Sequence, residues 1–226
     1  DGLRLAVYYK SYRALVRAKI AVIGTEQSNY PGERKDLTNT VINHIRLAEQ
    51  YWQPRSPRLV ITCGLSGSGK STAARHLVDR YGFVRIRSDV ERKRLFGLIP
   101  KESRTSEIGG KMYGPDANAQ TYRRLLGLTE SALAAKEHVV VDAGCLYAWQ
   151  RSLFKLLARD RGIALHILVC QTSSAVLETR LTDRAHSPNA VSDAGIEVMR
   201  RQAKEAQWPT AEEGRLLRIS IDRKST

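Results

Sequence analysis

Thiols, long apolar runs and acid are all scarce in this 226-residue chain. It has three cysteines, Cys63, Cys145 and Cys170, and none stands in a C-x-x-C or other metal-like spacing. That excludes a thiolate zinc site and a disulfide framework. Cys63 and Cys170 end apolar runs, where a reduced, buried thiol is expected. No apolar stretch is long enough to span a bilayer, and the opening Asp1-Gly2, soon followed by charge, does not read as a signal peptide. A reducing cytoplasm is therefore the expected compartment. The five histidines show no ligand spacing. No Ser/His/Asp or Cys/His arrangement is placed for nucleophilic catalysis.

Acidic residues number 23 against 37 lysines and arginines, a net charge of +14. Such a surface suits phosphate-rich partners. The arginines are spread along the whole chain, however, without the aromatic-basic interleaving of a single-strand platform. Nucleic acid is thus a possible partner and not the favoured one.

What is present is a phosphate-binding loop. Gly64, Leu65, Ser66, Gly67, Ser68, Gly69, Lys70 and Ser71 fit G-x-x-x-x-G-K-[ST] at every fixed position. An apolar run, Leu59–Cys63, precedes it as a buried strand would, and the segment from Thr72 can continue as a helix. Loop glycines let successive N–H groups face one anion, and the helix N-terminus adds its partial positive charge. Lys70 would reach the β- and γ-phosphates, and the Ser71 hydroxyl would sit on a magnesium ion. ATP and Mg²⁺ are the expected cofactors, with Thr72 completing the nucleotide contacts.

Three further groups surround the loop in sequence. Ser88-Asp89-Val90-Glu91-Arg92 follows an expected strand, Phe83–Arg87, so Asp89 would point into the crevice at the strand ends. A carboxylate there can take a proton from an acceptor hydroxyl, and Arg92 could steady it or grip an anionic substrate. The competing reading makes Asp89 a helix N-cap and Arg92 a solvated residue. Val139-Val140-Val141-Asp142 has the form of a strand whose acid holds the metal and meets substrate. The following Ala143-Gly144-Cys145 would leave room for a close-approaching substrate. Arg180 and Arg184, four apart on one helical face, could neutralise the transferring phosphoryl group, or be a solvated basic face. His186–Ala190 would break that helix as a lid.

Strands are expected at Leu59–Cys63, Phe83–Arg87, Val139–Asp142, Ala164–Cys170 and Leu216–Ile221, alternating with helices. Helical stripes are Tyr122, Leu125, Leu126, Thr129 and Leu133; then Leu153, Leu156 and Leu157; then Ala175, Leu177 and Leu181. Gly109 to Pro115 should be a loop. Before Arg58 the periodicity predicts a helix over Leu3–Ile23 with an apolar face of Leu5, Tyr8, Tyr9, Tyr12, Leu15, Val16 and Ile20. A loop containing Asn29, Pro31 and Gly32 follows. A second helix runs from Leu37 to Trp52 on a Val41, Ile45, Ala48, Trp52 stripe. Two amphipathic helices cannot close a core alone.

The strings GLSGSGKS, RSDVERKRLFG, VVVDAG and LETRLTDRA together resemble the AAA-like ATP-binding P-loop kinases. Those are related to gluconate kinases, zeta toxins, chloramphenicol phosphotransferase and the kinase domain of phage polynucleotide kinase. The resemblance covers about Arg58 to Asp222. It implies an α/β three-layer sandwich with a five-stranded parallel sheet, first strand central, and a helical lid. It also implies Asp89 as general base, Asp89 and Arg92 as a D-x-x-R pair, and Arg180 and Arg184 as lid arginines. Many relatives have Asp-Ala-Thr-Phe where this chain has Asp142-Ala143-Gly144-Cys145.

The segment YYKSYRALVRAKIAVI is similar to the closing helices of an aminoglycoside-phosphotransferase-like domain. Residues 1–56 are then expected to end such a domain and 57–226 to form the kinase domain, linked covalently in a longer protein. The expected activity is transfer of the γ-phosphate of ATP to a hydroxyl of a small molecule. The alternatives are a polynucleotide 5′-hydroxyl kinase and a non-catalytic ATP-binding module that regulates its partner domain. The acceptor wall would lie in Leu98 to Arg124, with Arg104, Lys111, Tyr113 and Arg123.

Overall fold

The computed structural model describes residues 2–53, 56–97, 114–185 and 195–220. The chain divides into two compact units, Asp1–Ser56 and Pro57–Thr226.

In the first unit, α1 (Gly2–Gln27) and α2 (Pro31–Trp52) form an αα-hairpin. Pro31 belongs to the helix and not to the loop expected there. It stands in the first turn, where a missing N–H is harmless and a fixed φ is already helical. The expected apolar face of α1 is overturned as well. Leu5, Tyr8, Tyr9, Tyr12, Leu15 and Ile20 are exposed, and the buried stripe is Ser11, Ala14, Ala18 and Ala21. Small residues at that spacing let the paired helix approach closely. Ala48 is buried on α2, and a Cβ on Gly24 would come within 3.4 Å of Leu37. Ile45 and Trp52 of the expected α2 stripe are exposed. The Trp52 indole N–H nonetheless donates to Ser11 Oγ at 2.9 Å.

The second unit is a five-stranded parallel sheet in the order β2-β3-β1-β4-β5. Its strands are β1 (Leu59–Cys63), β2 (Val84–Arg87), β3 (Val139–Asp142), β4 (Leu165–Gln171) and β5 (Arg215–Ser220). β1 is central, with Ile61 in register with Val141 on one side and Ile167 on the other. The three middle strands are mostly apolar because both faces are covered. Leu59, Ile61, Cys63, Val139, Val141, Ile167 and Val169 face a core with Tyr122, Leu125 and Leu133 of α5 (Pro115–Ala134) and Phe154 and Leu157 of α6 (Ala148–Asp160). Val60, Val140, Leu168 and Cys170 face the other way onto Ala74 of α3 (Lys70–Tyr81).

Pro115, expected in a loop, starts α5. On α6 the inward stripe is Phe154, Leu157 and Ala158, while Leu156 is exposed. α4 (Ser88–Leu95) follows β2, and α7 (Ser174–Ala185) and α8 (Ile196–Glu205) pack through Leu177, Leu181 and Met199. The expected acceptor-wall residues 98–113 and the lid break at 186–190 lie outside the described residues. Among the described residues, no helix is long and apolar enough to cross a membrane.

Candidate functional site

At the adjacent strands β1 and β3 the chain leaves for opposite faces of the sheet, to α3 after β1 and to α6 after β3. There the carboxyl ends of β1 and β3 open a crevice, the usual ligand position in such sheets. The phosphate-binding loop lies in it. Gly64, at φ 154°, bonds its N–H to Gly144 O at 3.0 Å. A Cβ there would sit 2.4 Å from Cys170 O and 2.6 Å from Ser68 Oγ, so only glycine fits. Gly69, at φ 90° and ψ 8°, is the N-cap of α3 and turns the chain so that Lys70 opens the helix. Ser71 and Thr72 are exposed in its first turn.

Lys70 Nζ donates to Leu65 O at 2.7 Å. Burial lowers its pKa, while the carboxylates of Asp142 and Asp89 pull it back up. Asp142, 5 % exposed in its side chain, ends β3 opposite the start of α3. Ser71 Oγ donates to it at 2.9 Å to Oδ2 and 3.2 Å to Oδ1.

Among the described residues no group of three or more His, Cys, Asp or Glu side chains could hold a metal ion. The local donors are one hydroxyl and one carboxylate, hard oxygen ligands. That set suits Mg²⁺, which keeps several waters and takes its remaining ligands from substrate phosphates.

Asp89 is half-buried in the first turn of α4, whose N-cap is Arg87, so Asp89 is not the cap. Arg92, one turn on, is 8 % exposed and donates from Nη2 to Asn118 Oδ1 at 3.2 Å, so it is not a solvated residue. Glu91 between them accepts from Arg94 Nη1 and Arg124 Nε, each at 2.6 Å, which ties α4 to α5. Arg180 Nη1 lies 3.3 Å from Gly67 O, directly over the loop. Arg184 is in the same helix α7, and its side chain lies outside the described residues.

Sequence reasoning missed several participants. Arg85 and Arg87 of β2 both approach Asp142. Their signal was available, because two arginines spaced two apart break an otherwise apolar strand. Gln202 of α8 accepts from Ser66 N and Ser66 Oγ, each at 3.0 Å. Nothing local marks that partner, 136 residues away in sequence. In the Ala143-Gly144-Cys145 turn Gly144 is partly exposed, and a Cβ on it would meet nothing nearer than 3.8 Å. Ala143 and Cys145 are buried, Thr62 Oγ1 donates to Ala143 O at 2.7 Å, and Cys145 holds φ at 43°. The three buried thiols are free, and burial pushes Cys63 and Cys170 up to about 11 and Cys145 to about 12.

Arg151 supports that strained turn. It is 1 % exposed and donates to Cys145 O at 2.9 Å and to both oxygens of Glu213 at 2.6 and 2.9 Å. Burial alone would raise the Glu213 pKa, but the bonds from Arg151 and the Thr210 N–H outweigh it and hold it below the usual value. Glu213→Gln is expected to cost about 2 kcal/mol at pH 7, since it leaves a buried guanidinium without its counter-charge. The depressed carboxyl stabilises the fold above its unfolded pKa, and that stability is lost as pH falls through the folded one. Urea melts should therefore show the gap between the two proteins closing in acid; a gap that persists there would contradict the pairing.

Comparison with known proteins agrees with this geometry. The chain is 28% identical over 206 residues to uncharacterised proteins of Mycobacterium tuberculosis and Mycobacterium bovis. The match covers 90% of this chain and 39% of theirs, so the chain spans well under half the length of those relatives. The structure of Kti12 from Chaetomium thermophilum with ADP-AlF3 superposes with a TM-score of 0.54 at 16% identity, covering 73% of this chain and 89% of that one. APS kinase from Mycobacterium tuberculosis, in complex with AMPPNP and APS, gives 0.50 at 24% identity, covering 76% and 92%. At these identities the likeness shows the fold, that of a P-loop kinase. The family model described as the AAA domain matches residues 59–209, the stretch from β1 through the loop to the segment beyond α8, and the chain belongs to that family.

Proposed function

We propose that Pro57–Thr226 is an ATP-dependent phosphotransferase that moves the γ-phosphate to a hydroxyl of a small molecule. The observation that carries this is the phosphate-binding loop at the end of β1, with its Ser71 bonded to Asp142 at the end of β3. Amides of Gly64 to Thr72 would cradle the phosphates, and Lys70 would leave Leu65 O to meet them. Ser71 and Asp142 would hold Mg²⁺, which when bound neutralises charge on the phosphates. Asp89 would accept the acceptor's hydroxyl proton as its oxygen bonds to the γ-phosphorus. The bond from that phosphorus to the β,γ-bridging oxygen breaks, and ADP leaves. Arg180 and Arg184 would lie over the transferring group and Arg92 beside the acceptor, so that positioning and charge neutralisation do most of the work.

The first unit is proposed as the closing helices of a phosphotransferase-like domain, a reading supported by the exposed tyrosines and leucines of α1. The cytoplasm is the compartment proposed with it.

The direct test follows labelled γ-phosphate from ATP to a panel of sugars, nucleosides, aminoglycosides and 5′-hydroxyl oligonucleotides. Transfer to one small-molecule hydroxyl, insensitive to salt, is the expected outcome. The net charge of +14 and the Asp89/Arg92 spacing favour a second reading, a polynucleotide 5′-kinase. In that case acceptor affinity would fall steeply with salt. Nucleotide binding without transfer to any acceptor would leave only a regulatory module.

A further inference from the structure

The two arginines of β2 are the largest charge in the site that phosphotransfer has not used. They stand two residues apart and so share one face of the strand. Arg85 donates to Asp142 Oδ2 from Nε at 3.1 Å and from Nη2 at 2.5 Å. Arg87 Nε lies 3.8 Å from the same oxygen. The side chains of Arg85 and Asp142 are 15% and 5% exposed, so solvent screens the pair weakly. Parallel register places Arg85 beside Val140 and Arg87 beside Asp142, which fixes the arrangement in the sheet and not in a loop.

We propose that Arg85 is a resident counter-cation of Asp142, one that weakens the site's hold on a divalent metal and lets nucleotide bind with less help from it. The proposal rests on reading the loop as a nucleotide site. The Ser71 hydroxyl spends its proton on Asp142 and keeps its lone pairs for a metal. Oδ2 of Asp142, by contrast, already accepts from Arg85 and Ser71. A metal must share that carboxylate with a guanidinium of like charge. A polyphosphate meets the opposite balance, with Lys70, Arg85 and Arg87 outweighing Asp142 and Asp89.

Calorimetric titration of ADP into the whole chain, in EDTA and in graded magnesium chloride, tests this. For Arg85→Met the magnesium concentration that half-saturates the metal-dependent gain should fall roughly tenfold, while ADP affinity in EDTA falls several-fold. Arg85→Lys keeps the charge and should stay within about twofold of the unsubstituted protein on both measures. Arg87→Gln should shift both in the same directions as Arg85→Met by about twofold, since it is farther away and more exposed.

A merely structural arginine would weaken both kinds of binding together and would not be rescued by lysine. If Arg85→Met does not fold, Arg87→Gln decides: a half-saturating magnesium concentration unchanged or raised overturns the proposal. The same result in a folded Arg85→Met protein overturns it too. Failure of the unsubstituted protein to bind ADP under any condition would instead remove the nucleotide-site reading, and the proposal with it.

Discussion

Replacing Lys70 with methionine is expected to lower γ-phosphate transfer by roughly 10³-fold or more while leaving the fold nearly as stable. The amine is the one cation on the loop helix that can follow charge from the β- to the γ-phosphate as the bond between them breaks. It now rests on Leu65 O, a weak anchor compared with a phosphate, so moving costs little. Methionine matches the length and apolar stem without the charge. Burial already disfavours the ammonium, so its removal relieves a desolvation cost. Asp142 keeps its bonds from Ser71 and Arg85 and is not left as a lone buried charge. Single-turnover transfer and a thermal melt would check both halves. Retention of more than about a tenth of the rate would show that Lys70 does not touch the transferring group. Lys70→Arg should fail almost as badly, because a planar fork does not reproduce the compact point charge of an ammonium.

The sheet was legible in the sequence because its middle strands are buried on both faces. Leu59–Cys63 and Val139–Val141 read as short, β-branched, largely apolar runs. The loop was legible because its glycines are sterically compulsory; a Cβ at Gly64 has no room. α1 misled because hydrophobicity and burial part company there. The large aromatic stripe looks like a core face, yet close helix pairing selected the alanines. What joins distant segments was invisible for a different reason. Gln202 on Ser66, Arg151 on Glu213 and Arg124 on Glu91 are polar pairs set by tertiary placement. Periodicity reports which way a residue faces and says nothing about its partner. Arg85 falls between these cases, since its oddness was visible in β2 and its partner was not.

Asp89→Asn should separate the acid that moves a proton from the acids that hold structure. Transfer is expected to fall about 10²- to 10⁴-fold, with nucleotide affinity changed no more than about threefold. Asparagine keeps the shape and still fits the first turn of α4, where Arg87 and not Asp89 is the cap. Two other acids could be suspected as the base, and the geometry occupies both. Glu91 is buried and accepts from two arginines at 2.6 Å, so it has little freedom to approach a substrate. Asp142 is held by Ser71 and Arg85. Asp142→Asn should therefore shift the magnesium requirement and the melting temperature, whereas Asp89→Asn should shift the chemical step alone. Glu91→Gln should loosen α4 from α5 and lower stability with a smaller loss of rate. Rate measurements at saturating ATP and magnesium, paired with melts, distinguish the three. If Asp89→Asn kept the full rate and Glu91→Gln lost it, the proton would leave by the buried acid and the α4–α5 tie would be the catalytic element.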